Sequence, residues 1–231
     1  MMSDSFEGFS NATIKFLKEL KNNNNRDWFN ENKHRYESDL LGDSLSFIEA
    51  MQPILKKVSP YFQAIPKRTG GSLMRIYRDT RFAKNKTPYK TNIGIHFRHE
   101  MGRDVHAPGF YLHIEPTESF FGAGIWRPES KALAKIRNQL VEQPQRWKRI
   151  ANGKKMAQHF EFSGEKLKRP PRDFDKDHPL IEDLKRKDFF VLAEINTKEI
   201  KTRKLLPMIE SRMRETKLLM TFLCDSLRIP C

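Results

Sequence analysis

Apolar residues recur at helical spacing at the start of the chain and at every second position in its middle, and this change of period divides the sequence. Ile14, Leu17 and Leu20 mark a first helix, with Ser10 as its N-cap, closing at the run Asn22 to Asn25. The stretch RDWFNENKHRYESDL, with Trp28, Phe29, Tyr36 and Leu40, predicts a second helix. A third carries Leu45, Ile48, Met51, Leu55 and Val58, and Pro53 inside it is expected to kink or split it. Pro60 and Pro66 then bound an extended connector.

From Ser72 the period is two. The runs SLMRIYR, NIGIHFRH, GFYLHIEP and SFFGAGIW read as strands, and their short connections predict an antiparallel meander. Ile93, Ile95 and Phe97 share one face of their run, and Phe110, Leu112 and Ile114 share one face of theirs. His96 and Arg98, then Tyr111, His113 and Glu115, take the opposite face. Gly122 and Gly124 lie two apart, and glycines within a strand mark close approach by a ligand or another backbone. A recess beside His113 and Glu115 follows if the register puts both glycines on that face.

Pro128 opens a helix through Leu133, Ile136 and Leu140, and a short one follows with Trp147 and Ile150. Residues 152–177 are polar and basic and read as a surface excursion. Residues 180–187 look helical, and FFVLAEI from Phe189 reads as a late strand returning to the sheet. Leu205, Ile209, Met213, Thr216, Met220, Leu223 and Leu227 form one apolar stripe, which suits a core-packing helix better than one lying on a membrane. The fold expected is α+β: an antiparallel sheet of about five strands packed with an N-terminal helical pair and C-terminal helices. It forms a single domain over 1–231, helical over 1–66, sheet over 67–127, and helices with a late strand over 128–231.

Composition adds a sign. The 231 residues carry a formal charge of +14 with a sequence pI near 9.8. Hydrophobic residues are only 38%, but 17 Phe, 5 Tyr and 3 Trp are more aromatic material than a disordered chain holds. Such a balance suits nucleic acid, anionic headgroups or phosphorylated ligands without choosing among them, and serves solubility alone equally well. Two Cys exclude a disulfide framework and a thiolate metal site. Without a signal-like start or an apolar run near 18 residues, a cytoplasmic protein that neither spans nor is anchored in a membrane is expected.

The charge concentrates between Arg75 and Lys90. Arg75, Arg78, Arg81, Lys84, Lys86 and Lys90 stand there against one acid, Asp79. The candidate anion-binding residues are Arg75, Arg78, Arg81, Lys84, Lys90, Tyr89 and Asn92, with Asp79 orienting the guanidinium forks. An Arg–Asp network that merely pins the loop accounts for the same residues. The glycines of a Walker loop are absent. Interleaved Tyr77, Phe82 and Tyr89 would suit base stacking, and suit a core beside strands equally well.

His113 and Glu115 project the same way from a strand and are the candidate acid and base. With His96 they make a two-His, one-carboxylate set, but such a set arises readily by chance and no metal or cofactor is expected. A hydrogen-bonded His–Glu pair that stabilises the sheet is the plainer account.

Four stretches, FLKELKNNNNRDWFNENKHRYE, RIYRDTRFAKNKTPYKTN, FYLHIEP with the following GAGIWRP, and PPRDFDKDHPLIEDLKRKDFF, together resemble a domain-of-unknown-function family of bacteria and some fungi. The resemblance spans nearly the whole chain and implies one domain of this length, with no activity, substrate or cofactor attached. In that family Ser is commoner where Ala83 stands, Asp at Asn85 and Gly at Asp173, so the loop is more basic here. The functions left open are a binder of an anionic ligand, nucleic acid among the candidates; an enzyme acting on a small phosphorylated or carboxylated metabolite through His113 and Glu115; and an interaction protein for an acidic partner. Oligomeric state is not legible.

Overall fold

A computed structural model describes residues 6–102 and 107–231. The N-terminal helices are α1 (Asn11–Asn22), α2 (Arg26–Glu31), a single turn α3 (Lys33–Arg35) and α4 (Gly42–Val58). Ser10 caps α1 by accepting from the Thr13 amide, and Asn25 caps α2 by accepting from that of Trp28. The helix expected over RDWFNENKHRYESDL is broken instead, and Tyr36–Leu41 forms a π-helix that runs straight into α4. The wider turn brings Tyr36, Leu40 and Leu41 to the buried side together.

Pro53 does not split α4, which continues through it for 17 residues. Pro53 and Glu49, the residue whose carbonyl loses its amide partner, both lie on the exposed side, where water replaces the missing bond.

The sheet has six antiparallel strands: β1 (Phe62–Gln63), β2 (Ile93–His99), β3 (Gly109–Ile114), β4 (Ser119–Ile125), β5 (Glu161–Ser163) and β6 (Phe189–Glu194). Their spatial order is β1-β2-β3-β4-β6-β5. The run SLMRIYR is not a regular strand. Leu73 bridges Ile95 beside β1 on the outer edge of β2, and the chain then leaves the sheet. Within the expected excursion over 152–177, a short helix α7 (Lys154–Ala157) follows α5 (Ser130–Glu142) and α6 (Pro144–Ala151), and β5 pairs with β6, which the short helices α8 (Ile181–Leu184) and α9 (Thr197–Ile200) flank in the chain.

One sheet face presents Ile95, Phe97, Leu112, Phe121, Ile125, Phe189 and Val191, all buried, and α4, α10 (Leu205–Glu215) and α11 (Lys217–Leu227) pack against it. The C-terminal apolar stripe bends at Thr216, whose hydroxyl donates to the carbonyls of Arg212 and Met213, and continues into α11 as core. Burying side chains of this size stabilises by about 1.5–3 kcal/mol each. No described helix is long and apolar enough to cross a membrane.

Candidate functional site

The cationic segment is a closed loop rather than a tail. Tyr77 bridges Tyr89; the Arg78 amide donates to Pro88 O at 2.9 Å, and that of Lys90 to Ile76 O at 2.7 Å. Asn24 fixes the loop from outside: its Oδ1 accepts from the Tyr89 amide and its Nδ2 donates to the Tyr89 carbonyl, both at 3.0 Å. The Tyr89 ring lies 4.0 Å from that of Phe29 in a stacked pair. Tyr89 is therefore only 4% exposed, and burial holds its hydroxyl in the protonated form. This candidate anion contact faces the core.

Inside the loop, Arg78 donates to the Thr87 hydroxyl, and Lys86 Nζ donates to the carbonyls of Thr80 at 2.9 Å and Arg81 at 3.3 Å. Asn85 Oδ1 accepts from the Thr87 amide. Asp79 accepts from Arg81 Nε at 3.0 Å and Nη2 at 2.7 Å, a fork that holds its carboxyl down at about 2. The single acid thus forks onto one arginine, and the Arg75 charge adds to holding its carboxyl down. Among the described residues no carboxylate meets Arg75, Lys84 or Lys90. Burial, and then repulsion from Arg75, lowers the Lys90 pKa. At the tip Phe82 is 96% exposed, with the Arg81 guanidinium 5.9 Å from its ring centre.

The strand pairing sets the second place. On the open sheet face one row reads Gly94, His113, Phe120, Glu194; the next His96, Tyr111, Gly122, Leu192; the next Arg98, Gly109, Gly124, Phe190. The glycines therefore do share the face of His113, and a cavity of about 450 Å³ opens there. Phe120, Trp126, Phe190 and Leu192 wall it, and His96, Tyr111 and His113 supply its polar groups.

His113 stacks on Phe120 with ring centres 4.6 Å apart. Its Nδ1 lies 3.3 Å from both Asn92 Nδ2 and the Tyr111 hydroxyl, and its Nε2 is 3.6 Å from Glu115. Burial lowers its pKa, while Glu115 pulls the other way. Glu115 also accepts from Lys21 Nζ at 3.1 Å and from the Thr91 hydroxyl at 3.4 Å. The candidate acid is thus the counter-ion of α1, and Asn92, a candidate anion contact, turns to His113.

His96 is buried, and burial with the nearby Arg98 charge brings its pKa down to about 4. Burial pushes Tyr111 up to about 12. The Tyr111 ring stands between His96 and His113, 6.5 and 6.1 Å from them, so the two histidines do not converge with Glu115. No group of three His, Cys, Asp or Glu among the described residues is placed to hold a metal.

The enzyme alternative requires one enclosed pocket holding both candidate sets. Arg75, Arg78 and Arg81 do not line the cavity that His113 lines, and no hydrogen bond or ion pair joins them to His113 or Glu115 among the described residues. Loop and cavity are two places joined through Thr91 and Asn92. Sequence reasoning missed the Asn24 clamp, because the Asn run reads as helix punctuation, and missed Tyr111 as the divider of the two histidines.

Searches among curated proteins and among solved structures find no match. The model of the family described as conserved hypothetical protein DUF2461 matches residues 12–222, from the second residue of α1 into α11, and the chain belongs to that family.

Proposed function

We propose that this protein binds single-stranded nucleic acid through the loop 75–92, with Arg75, Lys84 and Lys90 meeting backbone phosphates and Phe82 stacking on a base. The observation that carries this reading is Phe82, an almost fully exposed ring at the tip of a braced loop that also carries Arg75, Lys84 and Lys90, which form no ion pair among the described residues. An exposed aromatic ring costs solvation unless a planar partner covers it, and a base is such a partner for any sequence. The Asn24 and Lys86 contacts hold the loop before binding, which lowers the ordering entropy that a floppy basic tail would lose.

Fluorescence anisotropy with labelled oligo(dT) and oligo(U) tests it. With these three phosphate contacts, raising salt fourfold weakens binding roughly 20-fold. Phe82→Ala weakens it by about tenfold at constant salt, as loss of one stacked base does. Lys84→Ala reduces the salt slope by about 0.7. Absence of salt-sensitive binding at micromolar protein removes the proposal, as does a Phe82→Ala variant that binds like the parent.

A further inference from the structure

The cavity on the open sheet face has features that the loop does not explain. Among the described residues its lining carries no Asp, Glu, Lys or Arg. Its polar groups, His96, Tyr111 and His113, all sit where burial favours their neutral forms. A charged occupant would give up hydration there, and the nearest charges, Arg98 on His96 Nδ1 and Glu115 beside His113, are engaged with those rings and do not themselves line the cavity.

The walls and floor set a shape. Phe120, Trp126 and Phe190 are aromatic, and opposite Tyr111 and Leu192 the position between them is Gly122. A Cβ added at Gly122 would come no nearer than 3.1 Å to anything, and that contact is the tip of Leu192. The backbone there does not demand glycine; a larger residue would instead fill the space. Bare backbone between aromatic walls accepts a flat body. The volume of about 450 Å³ is within the range of small-molecule sites.

A directional group completes the site. His96 is 7% exposed, and its Nδ1 accepts from Arg98 Nε at 3.3 Å, which leaves the proton of the neutral ring on Nε2. That nitrogen lies over Gly109, where an added Cβ would be 2.4 Å away, and both residues line the cavity. It meets no acceptor among the described residues. This donor opens on the cavity rather than being sealed in the protein, so an acceptor on an occupant can reach it.

We propose that this cavity binds an uncharged, flat aromatic or heteroaromatic small molecule that offers a hydrogen-bond acceptor to His96 Nε2. It is independent of the loop: binding involves no phosphate and does not respond to salt.

The full chain is titrated with three probes sharing one planar body: naphthamide, naphthoate and naphthylmethylammonium. Imidazole nitrogen NMR signals of His96 and His113 report occupancy. Naphthamide binds at least about tenfold more tightly than either ion, moves both histidine signals, and keeps its affinity when salt is raised fourfold. Gly122→Leu fills the floor and lowers naphthamide affinity at least about tenfold. Leu192→Trp fills the same space from the neighbouring strand and serves if the first variant does not fold. The proposal is overturned if naphthoate binds as tightly as the amide, if the His96 signal stays still, or if binding survives both filled variants. A dimer in sedimentation that excludes naphthamide also overturns it, since a second copy would then be the occupant.

Discussion

Asn24 makes both amide hydrogen bonds to the backbone of one residue, Tyr89, 65 positions further along the chain. Asn24→Ala leaves a donor and an acceptor of the loop without partners and is expected to destabilise by about 1–2 kcal/mol. Hydrogen exchange localises the effect: the Tyr89 amide loses protection while β3 amides do not. Asn24→Asp retains the acceptor and loses the donor, so it falls between. His96 acts through pH. Its folded pKa of about 4 lies below the ordinary 6.5, so as pH falls the unfolded chain takes up the proton first. Stability is complete above about pH 6.5 and declines toward pH 4, by roughly 2–3 kcal/mol between pH 7 and 4.5. His113, also lowered, adds in the same direction. Urea titrations at the two pH values measure the decline, and His96→Gln flattens it.

Among the elements, β4 carries the most restrictive position. Gly124 has φ +131°, and a Cβ there would approach Phe189 O to 2.2 Å and Phe190 Cα to 2.6 Å. Both contacts are backbone of β6, the strand paired with it, and cannot swing away. Gly124→Ala is therefore expected to cost at least about 2 kcal/mol in chemical denaturation, whereas Gly122→Ala, whose nearest contact is a side-chain tip, costs far less. One strand thus holds two glycines in different settings, fixed backbone against one and a movable side-chain tip against the other. The π-helix before α4 is another element that works by an irregularity, since it points Tyr36 into the ring cluster with Phe16 and Phe29.

At the scale of the whole molecule, the legible parts were those whose pattern is local. Alternation in Ile93–Ile95–Phe97 and Phe110–Leu112–Ile114 marks the buried sheet face, and the spacing from Leu205 to Leu227 marks the helices against it. What pairing at a distance decides was not legible. SLMRIYR alternates like a strand but shares the edge of β2 with β1, and Glu161–Ser163 has almost no pattern yet completes the sheet because β6 leaves an edge free. For the candidate site, the cationic cluster was visible in composition. Which cations Asp79 leaves without an ion pair, the turning of Tyr89 inward, and which residues line the cavity of His113 all depend on contacts between distant segments.

The sheet ends in stubs of two and three residues, β1 and β5, and the remaining outer edge of β2 is occupied by Ser72 to Met74, whose backbone bonds Gly94 and His96. Little unpaired ladder is left to template a foreign strand. Crowded copies of this protein accordingly have few places to stack edge to edge into fibres, and their encounters are left to faces, where like charge keeps them apart.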